Sequence, residues 1–345
     1  MKALTLTAVG GPEHLRVREL PEPAIQSPDQ VLVRIHAAAL NRLDLFVADG
    51  LPGVNYSFPH VMGSDGAGTI VELGSAVAGF QPGDRVMLNP AVSCGKCPRC
   101  LQGEESLCAS LQVLGEHRSG TAAEYVVLPA ANLAKMPPAM PWPQAAAFSL
   151  ATLTAWRMLV TRGRVLAGET VLIWGIGGGV ALAALLIARH LGARTIVTSG
   201  SDTKLEIALS LGADLALNHR LVDVGAEARK ATGGNGADAV VDSVGEQSWP
   251  HSLRALRRGG RLLVCGATTG PMIGLDLRRL FWHQWSILGS TLGSRREYAE
   301  IVRLAGEGQL WPVIDRVVPI EEALAAVGRL KRGEQVGKLV IEVTR

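Results

Sequence analysis

Cys94-Gly95-Lys96-Cys97-Pro98-Arg99-Cys100, followed after seven residues by Cys108, gives the spacing C-x2-C-x2-C-x7-C, and Cys265 is the one further cysteine in the 345 residues. Four thiolates on so short a stretch can close a tetrahedron around Zn²⁺ with no open position. Such a site holds a loop in shape and does no chemistry. A disulfide pair, or four unrelated thiols, is the plainer alternative. Metal-ligand spacing in a chain that reads as intracellular favours zinc. Gly95 and Pro98 suit a backbone that must turn sharply around an ion.

The length suits two domains, and 48% apolar residues are enough for real cores. A net charge of +3 without a long basic block argues against nucleic acid, which needs clustered cations. The densest basic group, Arg254, Arg257, Arg258 and Arg261, alternates with Leu, Gly and Ala and reads as a solvated helix face and turn. The opening residues lack an apolar stretch of signal-peptide length. The most apolar run, Val180 to Ala188, ends at Arg189 and is too short to span a bilayer. A soluble, cytoplasmic protein is the expectation.

The first 150 residues read as short alternating strands, such as 30–35 and 69–73, punctuated by Gly, Pro and Asp. That pattern predicts an irregular β-rich domain. Residues 150–160 read as a helix joining it to the next section. From about Thr170 apolar strands alternate with helices, the rhythm of a doubly wound parallel sheet. Strands are predicted at 170–174, 194–198, 214–217, 239–242, 262–265 and 285–288, with helices at 180–191, 203–211 and 249–256. Near the C-terminus come a helix at 297–304, an extended segment at 313–318, a helix at 320–330 and a final strand at 338–343.

The first predicted strand of the alternating section runs into Gly175-x-x-Gly178-x-x-Ala181 and then an apolar helix. Glycines permit a tight turn and close approach of backbone N–H groups to a pyrophosphate, and the helix N-terminus adds partial positive charge. Gly175, Gly178, Gly179 and Val180 are the expected contacts, against the alternative of a turn with packing duties only. At the end of the second strand, where an NAD site usually carries Asp or Glu, stands Ser199. A small hydroxyl with Lys204 suits a 2′-phosphate, so NADP(H) is favoured over NAD(H). Asp202 remains open as a ribose ligand or a helix cap.

These motifs, with Gly63-Ser64-Asp65-Gly66-Ala67-Gly68, Pro82-Gly83-Asp84-Arg85-Val86 and Gly337-Lys338-Leu339-Val340-Ile341, resemble the medium-chain dehydrogenase/reductase superfamily almost from end to end. The loop spacing resembles that of its quinone oxidoreductase branch. The resemblance implies a GroES-like β-rich catalytic domain, 1–150 with 295–345, into which a Rossmann-type doubly wound parallel sheet, 151–294, is inserted. It also implies that Ser243, Gly266 and Ser290, after later strands, and Lys338 serve the cofactor.

In zinc alcohol dehydrogenases a second zinc polarises the substrate oxygen. Placed on that pattern, Asn41 stands for a Cys ligand, Ser64-Asp65 for a His-Glu pair, and Ala146 or a neighbour for the third ligand. Neutral Asn and Ser do not match thiolate and imidazole as zinc ligands, and His60 near Asp65 does not complete a set. The expectation is therefore one structural zinc and no catalytic zinc. Hydride would pass between the nicotinamide and a quinone or α,β-unsaturated carbonyl, with Asn41 donating to the substrate oxygen or cofactor and Asp44, Ser64 and Asp65 arranging the pocket. Phe46, Tyr56, Trp282 and Trp285 are candidates for an apolar lining, although core packing is the plainer account. A zinc-type alcohol dehydrogenase, and an NADPH-binding protein with a structural role, stay as alternatives. The 285–289 segment reads as an edge strand, and the resemblance implies a homodimer or dimer-based tetramer.

Overall fold

The computed structural model describes residues 1–344. The chain divides into two compact units, Met1–Leu153 with Gly293–Arg345, and Thr154–Leu292.

The first unit is built on a seven-stranded sheet. Its axis is Gln30–Ala39, a long strand buried along most of its length. Asp65–Leu73 pairs antiparallel to one side of it, and Lys338–Glu342 pairs antiparallel to its last residues. Ala39 therefore has Asp65 and Val340 as register partners. This places the end of one strand beside the beginnings of two others. Leu4, Val33, Ile35, Leu88, Leu128 and Ile341 belong to the apolar core beneath. The strand 30–39 passes into the helix Arg42–Asp49, with Asn41 as its N-cap. A separate two-stranded ribbon, Ala91–Val92 with Gln112–Val113, carries the cysteine lobe.

The second unit runs β1 (Thr170–Ile173), α1 (Gly179–His190), β2 (Arg194–Ser199), α2 (Asp202–Ser210), β3 (Leu215–Asn218), α3 (Val224–Ala231), β4 (Ala237–Asp242), α4 (Trp249–Ala255), β5 (Leu256–Val264), α5 (Leu277–His283) and β6 (Ser286–Gly289). All strands are parallel, in the order β3-β2-β1-β4-β5-β6. This is the doubly wound nucleotide-binding order, with its switch point beside β1. Thr170 to Ile173 are all buried, as expected of a strand covered on both faces.

The expected α/β architecture is present, and most strands match within one or two residues. In the second unit two helices are additional. In α3 the buried face is Val224, Gly225 and Ala228, too weakly apolar to register as a stripe. In α5 no residue is buried, so no apolar period marks it. β5 begins six residues earlier than expected, because Arg257, Arg258, Gly259 and Gly260 continue the strand. The expected helix over 150–160 is α-helical at Ser149–Trp156 and then π-helical at Arg157–Arg162. β6 pairs on one side only, with β5, and so is an edge strand as expected. Among the described residues, no helix is long and apolar enough to cross a membrane.

Candidate active site and metal lobe

Three strand ends bring together residues that lie up to 297 apart in sequence. Asn41 follows the axial strand, Asp65 begins its neighbour, and Lys338 begins the last strand. Lys338 Nζ donates to Asp65 Oδ2 at 2.8 Å and to Asn41 Oδ1. Asn41 Nδ2 donates to the same Asp65 Oδ2 at 3.0 Å and to the Ala39 carbonyl at 3.3 Å. Asp65 Oδ1 accepts the Leu150 N–H at 2.6 Å. Asp65 is 0% exposed and Lys338 3%. A buried carboxylate beside a buried ammonium, each with further hydrogen bonds, meets the condition for keeping charges out of water. The resemblance grouped Lys338 with the cofactor contacts. Its ammonium reaches Asn41 and Asp65, because its strand is laid against the axial one.

Asp44 ties down the same corner. It accepts the Asn41 N–H at 2.7 Å and the Gly63 N–H at 3.0 Å. Burial pushes its carboxyl up to about 6, against the opposing pull of those N–H groups and of the Lys338 charge. Ser64 is fully buried, and its Oγ has no hydrogen-bond partner among the described residues. His60 is not drawn into this cluster: its Nε2 pairs with the Gly115 carbonyl at 3.0 Å. Ala146 is buried in the short helix Trp142–Ala146.

In the cysteine lobe, Cys97 caps a single helical turn, Pro98–Leu101, which carries Cys100, and Cys108 follows the 3-10 turn Glu105–Leu107. The sulfurs of Cys97 and Cys100 are 3.5 Å apart, those of Cys94 and Cys108 3.5 Å, and those of Cys94 and Cys100 3.9 Å. All four ligand atoms lie within 4.8 Å of one another. A tetrahedron with metal–sulfur bonds of about 2.3 Å has edges of about 3.8 Å, so the donor set fits zinc. No disulfide joins them. The N–H groups of Lys96 and Cys97 draw the Cys94 thiol down to about 6, while burial pushes Cys100 up to about 11. Among the described residues this is the group of three or more His, Cys, Asp or Glu side chains gathered closely enough for a metal.

In the second unit β1 turns through Gly175, at φ 70°, and Gly177, at φ 116°, before Gly178 caps α1. Left-handed backbone of this kind is open to glycine and strained for other residues. The N–H groups of Gly179, Val180 and Ala181 begin the helix and precede its first internal bond, from Leu182 to Gly178. They form a fixed anion-facing terminus. Lys204, from α2, lies against Gly177: a Cβ there would stand 2.8 Å from Lys204 Cδ.

Ser199 ends β2, with its Oγ accepting the Ser201 N–H at 3.1 Å. Arg220, two residues after β3, packs on Gly200, where a Cβ would stand 2.6 Å from Arg220 Nε. Arg220 thus stands at the end of β2, and Lys204 stands against the glycine turn after β1. Arg220 and Gly177 were not singled out from the sequence. The pointer to Arg220 was its place just beyond β3, which is useful only once β3 is known to lie beside β2. Asp202 is the first residue of α2 and accepts from Asn218 Nδ2 at 2.7 Å.

Ser243, Gly266 and Ser290 follow β4, β5 and β6, on the carboxyl edge of the sheet where open α/β folds place ligands. Beneath them Asp242 accepts N–H bonds from Val244 and Gly245 and hydroxyls from Ser248 and Ser252. Gly266 approaches the Ser243 carbonyl closely, at 3.1 Å from a notional Cβ. Ser290 Oγ is buried with no hydrogen-bond partner among the described residues. Trp285 is core, with its Nε1 donating to the Arg257 carbonyl, and Trp282 is exposed on α5.

Residues 27–138 match the alcohol dehydrogenase GroES-like domain, and residues 179–307 match the zinc-binding dehydrogenase domain. An NAD-dependent alcohol dehydrogenase of Sulfolobus acidocaldarius is 31% identical over 100% of both chains. The quinone oxidoreductase of Homo sapiens is 30% identical over 99% of this chain and 97% of its own. A crystal structure of an NAD-dependent alcohol dehydrogenase superposes with a TM-score of 0.95 at 45% identity, covering 100% of both chains. With this likeness, the nucleotide-binding sheet order and the cysteine lobe in hand, the chain belongs to the medium-chain dehydrogenase/reductase superfamily and is an oxidoreductase.

Proposed function

We propose that this enzyme is an NAD(P)H-dependent reductase of quinones or α,β-unsaturated carbonyls, with zinc in the cysteine lobe alone. The observation that carries the reading is the Lys338 ammonium bonded to both Asn41 and Asp65. Asn41 stands at one ligand position of the zinc pattern, and Asp65 is the carboxylate beside the other, Ser64. An ammonium on the same carboxylate oxygen competes with a divalent cation for charge and space, and an amide with a hydroxyl is a poor remaining set. A reduced nicotinamide, when bound, supplies the hydride. The chain's own groups would orient the acceptor and stabilise negative charge on its oxygen. The test is zinc per chain together with turnover of NADPH against simple quinones and enones. One zinc with acceptor reduction supports the reading; two zincs with chelator-sensitive alcohol oxidation refute it. That second outcome is the alcohol dehydrogenase reading, which the names of two of the similar proteins favour.

For the cofactor we favour NADP(H). Ser199 leaves out the carboxylate that would repel a 2′-phosphate, Arg220 brings a cation to the end of β2, and Lys204 brings another to the glycine turn. The NAD-dependent names among the similar proteins weigh on the other side, and the ratio of kcat/KM for NADPH and NADH decides. For assembly we favour a homodimer through the β6 edge, beside which Leu277, Phe281 and Trp282 are exposed. A solution mass of one 36.4 kDa chain would refute that.

A further inference from the structure

We propose that the amino edge of the second unit's sheet carries an anion site of its own, apart from the glycine turn, which takes a small molecule bearing two or more phosphate groups. A cavity of about 840 Å³ opens there, lined wholly by residues of the second unit. Thr170 begins β1, Arg194 begins β2, Asp238 is the second residue of β4, and Arg257 and Arg258 follow the first residue of β5. The glycine turn lies beyond the other end of β1. At about 3.3 Å per residue, Gly175 stands about 16 Å from Thr170.

Four arginines line the cavity, Arg194, Arg229, Arg257 and Arg258, against one carboxylate, Asp238. That carboxylate is already occupied: Oδ1 accepts from Arg257 Nε, and Oδ2 accepts the Thr170 N–H at 2.8 Å. Glu169, close by, is held by Arg261 at 2.6 Å and stands 3.9 Å from Arg257. Arg194, Arg229 and Arg258 have no carboxylate partner among the described residues. Arg229 donates to the carbonyls of Gly234, Asn235, Arg254 and Leu256. These neutral acceptors fix the guanidinium in place and leave its charge uncompensated. Arg194 gives one of its five N–H groups to the Ala231 carbonyl, at 2.8 Å. Arg258 makes no hydrogen bond among the described residues, and its guanidinium lies over the Trp282 ring, 5.8 Å from the centroid. His283, also in the lining, feels the resulting field: burial, and then the charges of Arg258, Arg279 and Arg229, hold its imidazole below the ordinary histidine range.

Cations that converge on one recess without anions raise one another's energy, and an arriving anion relieves that. Guanidinium forks match phosphate oxygens two at a time. Four arginines against one carboxylate leave an excess of three positive charges in the lining, with His283 neutral. One phosphate ester, at about −1.5 to −2, does not balance that excess, and two do. The volume lies within the range of organic-ligand sites, so phosphates on a carbon skeleton match the room as well as the charge. The basic run that reads from the sequence as a solvated helix face and turn is thus divided. Arg254 lies on α4 and pairs with Asp223, Arg261 pairs with Glu169, and Arg257 and Arg258 line the cavity.

The experiment is isothermal titration calorimetry on the full chain, first saturated with NADPH or NADH, whichever binds more tightly, at about 0.15 M ionic strength. The probes are inorganic tripolyphosphate and inorganic monophosphate. The proteins are wild type, Arg258→Gln, the double variant Arg194→Gln with Arg258→Gln, and Arg18→Gln, which removes an exposed arginine of the first unit. Wild type should bind one tripolyphosphate, and monophosphate at least about tenfold more weakly. Arg258→Gln should weaken tripolyphosphate about tenfold and the double variant about 100-fold, as for lost hydrogen bonds to a charged group. Arg18→Gln should stay within about twofold of wild type, because a distant exposed charge is screened. Melting temperatures should stay within about 2 °C, since neither cavity variant loses a side-chain ion pair. No binding at about 1 mM tripolyphosphate, equal affinity in all four proteins, or an equal loss in Arg18→Gln overturns the proposal. Binding that appears only without the dinucleotide overturns it in favour of the glycine turn. A changed solution mass in Arg258→Gln overturns it in favour of a contact between copies of the chain. Monophosphate binding as tight as that of tripolyphosphate refutes the ligand class.

Discussion

Replacing Asp65 by Asn tests whether the buried cluster holds the first unit together. Asp65 is fully buried and accepts one N–H on Oδ1 and two on Oδ2. An amide has one accepting oxygen. If that oxygen serves Asn41 and Lys338, the new NH₂ faces the Leu150 N–H; if it serves Leu150, the NH₂ faces an ammonium. Either way a donor meets a donor, and the Lys338 charge loses its counterion. Breaking one partner of a buried ion pair costs about 3–5 kcal/mol. For a body of this size each kcal/mol moves the melting point by about 2–4 °C, so a fall of roughly 8–16 °C follows from about 4 kcal/mol. Thermal circular dichroism measures it. A double-mutant cycle with Lys338→Met isolates the pair, and the double variant should be more stable than the sum of the singles by about 2 kcal/mol. A fall below about 2 °C, or additivity within about 0.5 kcal/mol, would show that the pair contributes little and that the reasoning is wrong.

Three further outcomes are expected. Purified without added metal, each chain should carry one zinc; Cys108→Ser should lose it and open the lobe to proteolysis near the exposed Leu101 and Leu107, while nucleotide affinity is kept. Arg220→Ala should raise KM for NADPH about 10- to 100-fold and leave NADH almost unchanged, as for a lost charged hydrogen bond to phosphate; equal effects on both cofactors would remove Arg220 from the 2′ site. Asp44 has a folded-state value of about 6, above its ordinary 3.8. The folded chain therefore keeps that proton longer than the unfolded one, so its contribution to stability is full below about pH 4 and is lost as pH rises to about 6. Denaturant titrations across this window should show a downward slope in wild type that Asp44→Asn lacks; parallel profiles would contradict it.

The features legible in the sequence are those that local chain geometry determines. The cysteine ligands fall within fifteen residues, so their spacing alone encodes the lobe. β1, the glycine turn and α1 are contiguous, and their apolar periods are strong. Asn41, Asp65 and Lys338 could be singled out one by one, but not as a cluster with Lys338 at its centre. Their meeting depends on which strands neighbour Gln30–Ala39, and no local period carries that information. Arg220 is hidden for the same reason, since its relevance follows from β3 lying beside β2. The α3 helix escaped because Ala and Gly fill its buried face, where packing rather than hydrophobic pattern selects the residue.

The strand Lys338–Glu342 completes a sheet whose axial strand was made some three hundred residues earlier. During synthesis the whole of Thr154–Leu292 leaves the ribosome before Lys338 does. The residues of that unit are therefore all available while Asp65 still lacks its counterion. Closing so long a loop adds little entropy beyond that of a shorter one, because the cost grows only logarithmically with length. The delay is one of time rather than of stability. Its effect is an order of assembly in which the charge that pairs with Asp65 arrives last, so that a chain ending before Lys338 keeps a carboxylate beside Asn41 without its counterion.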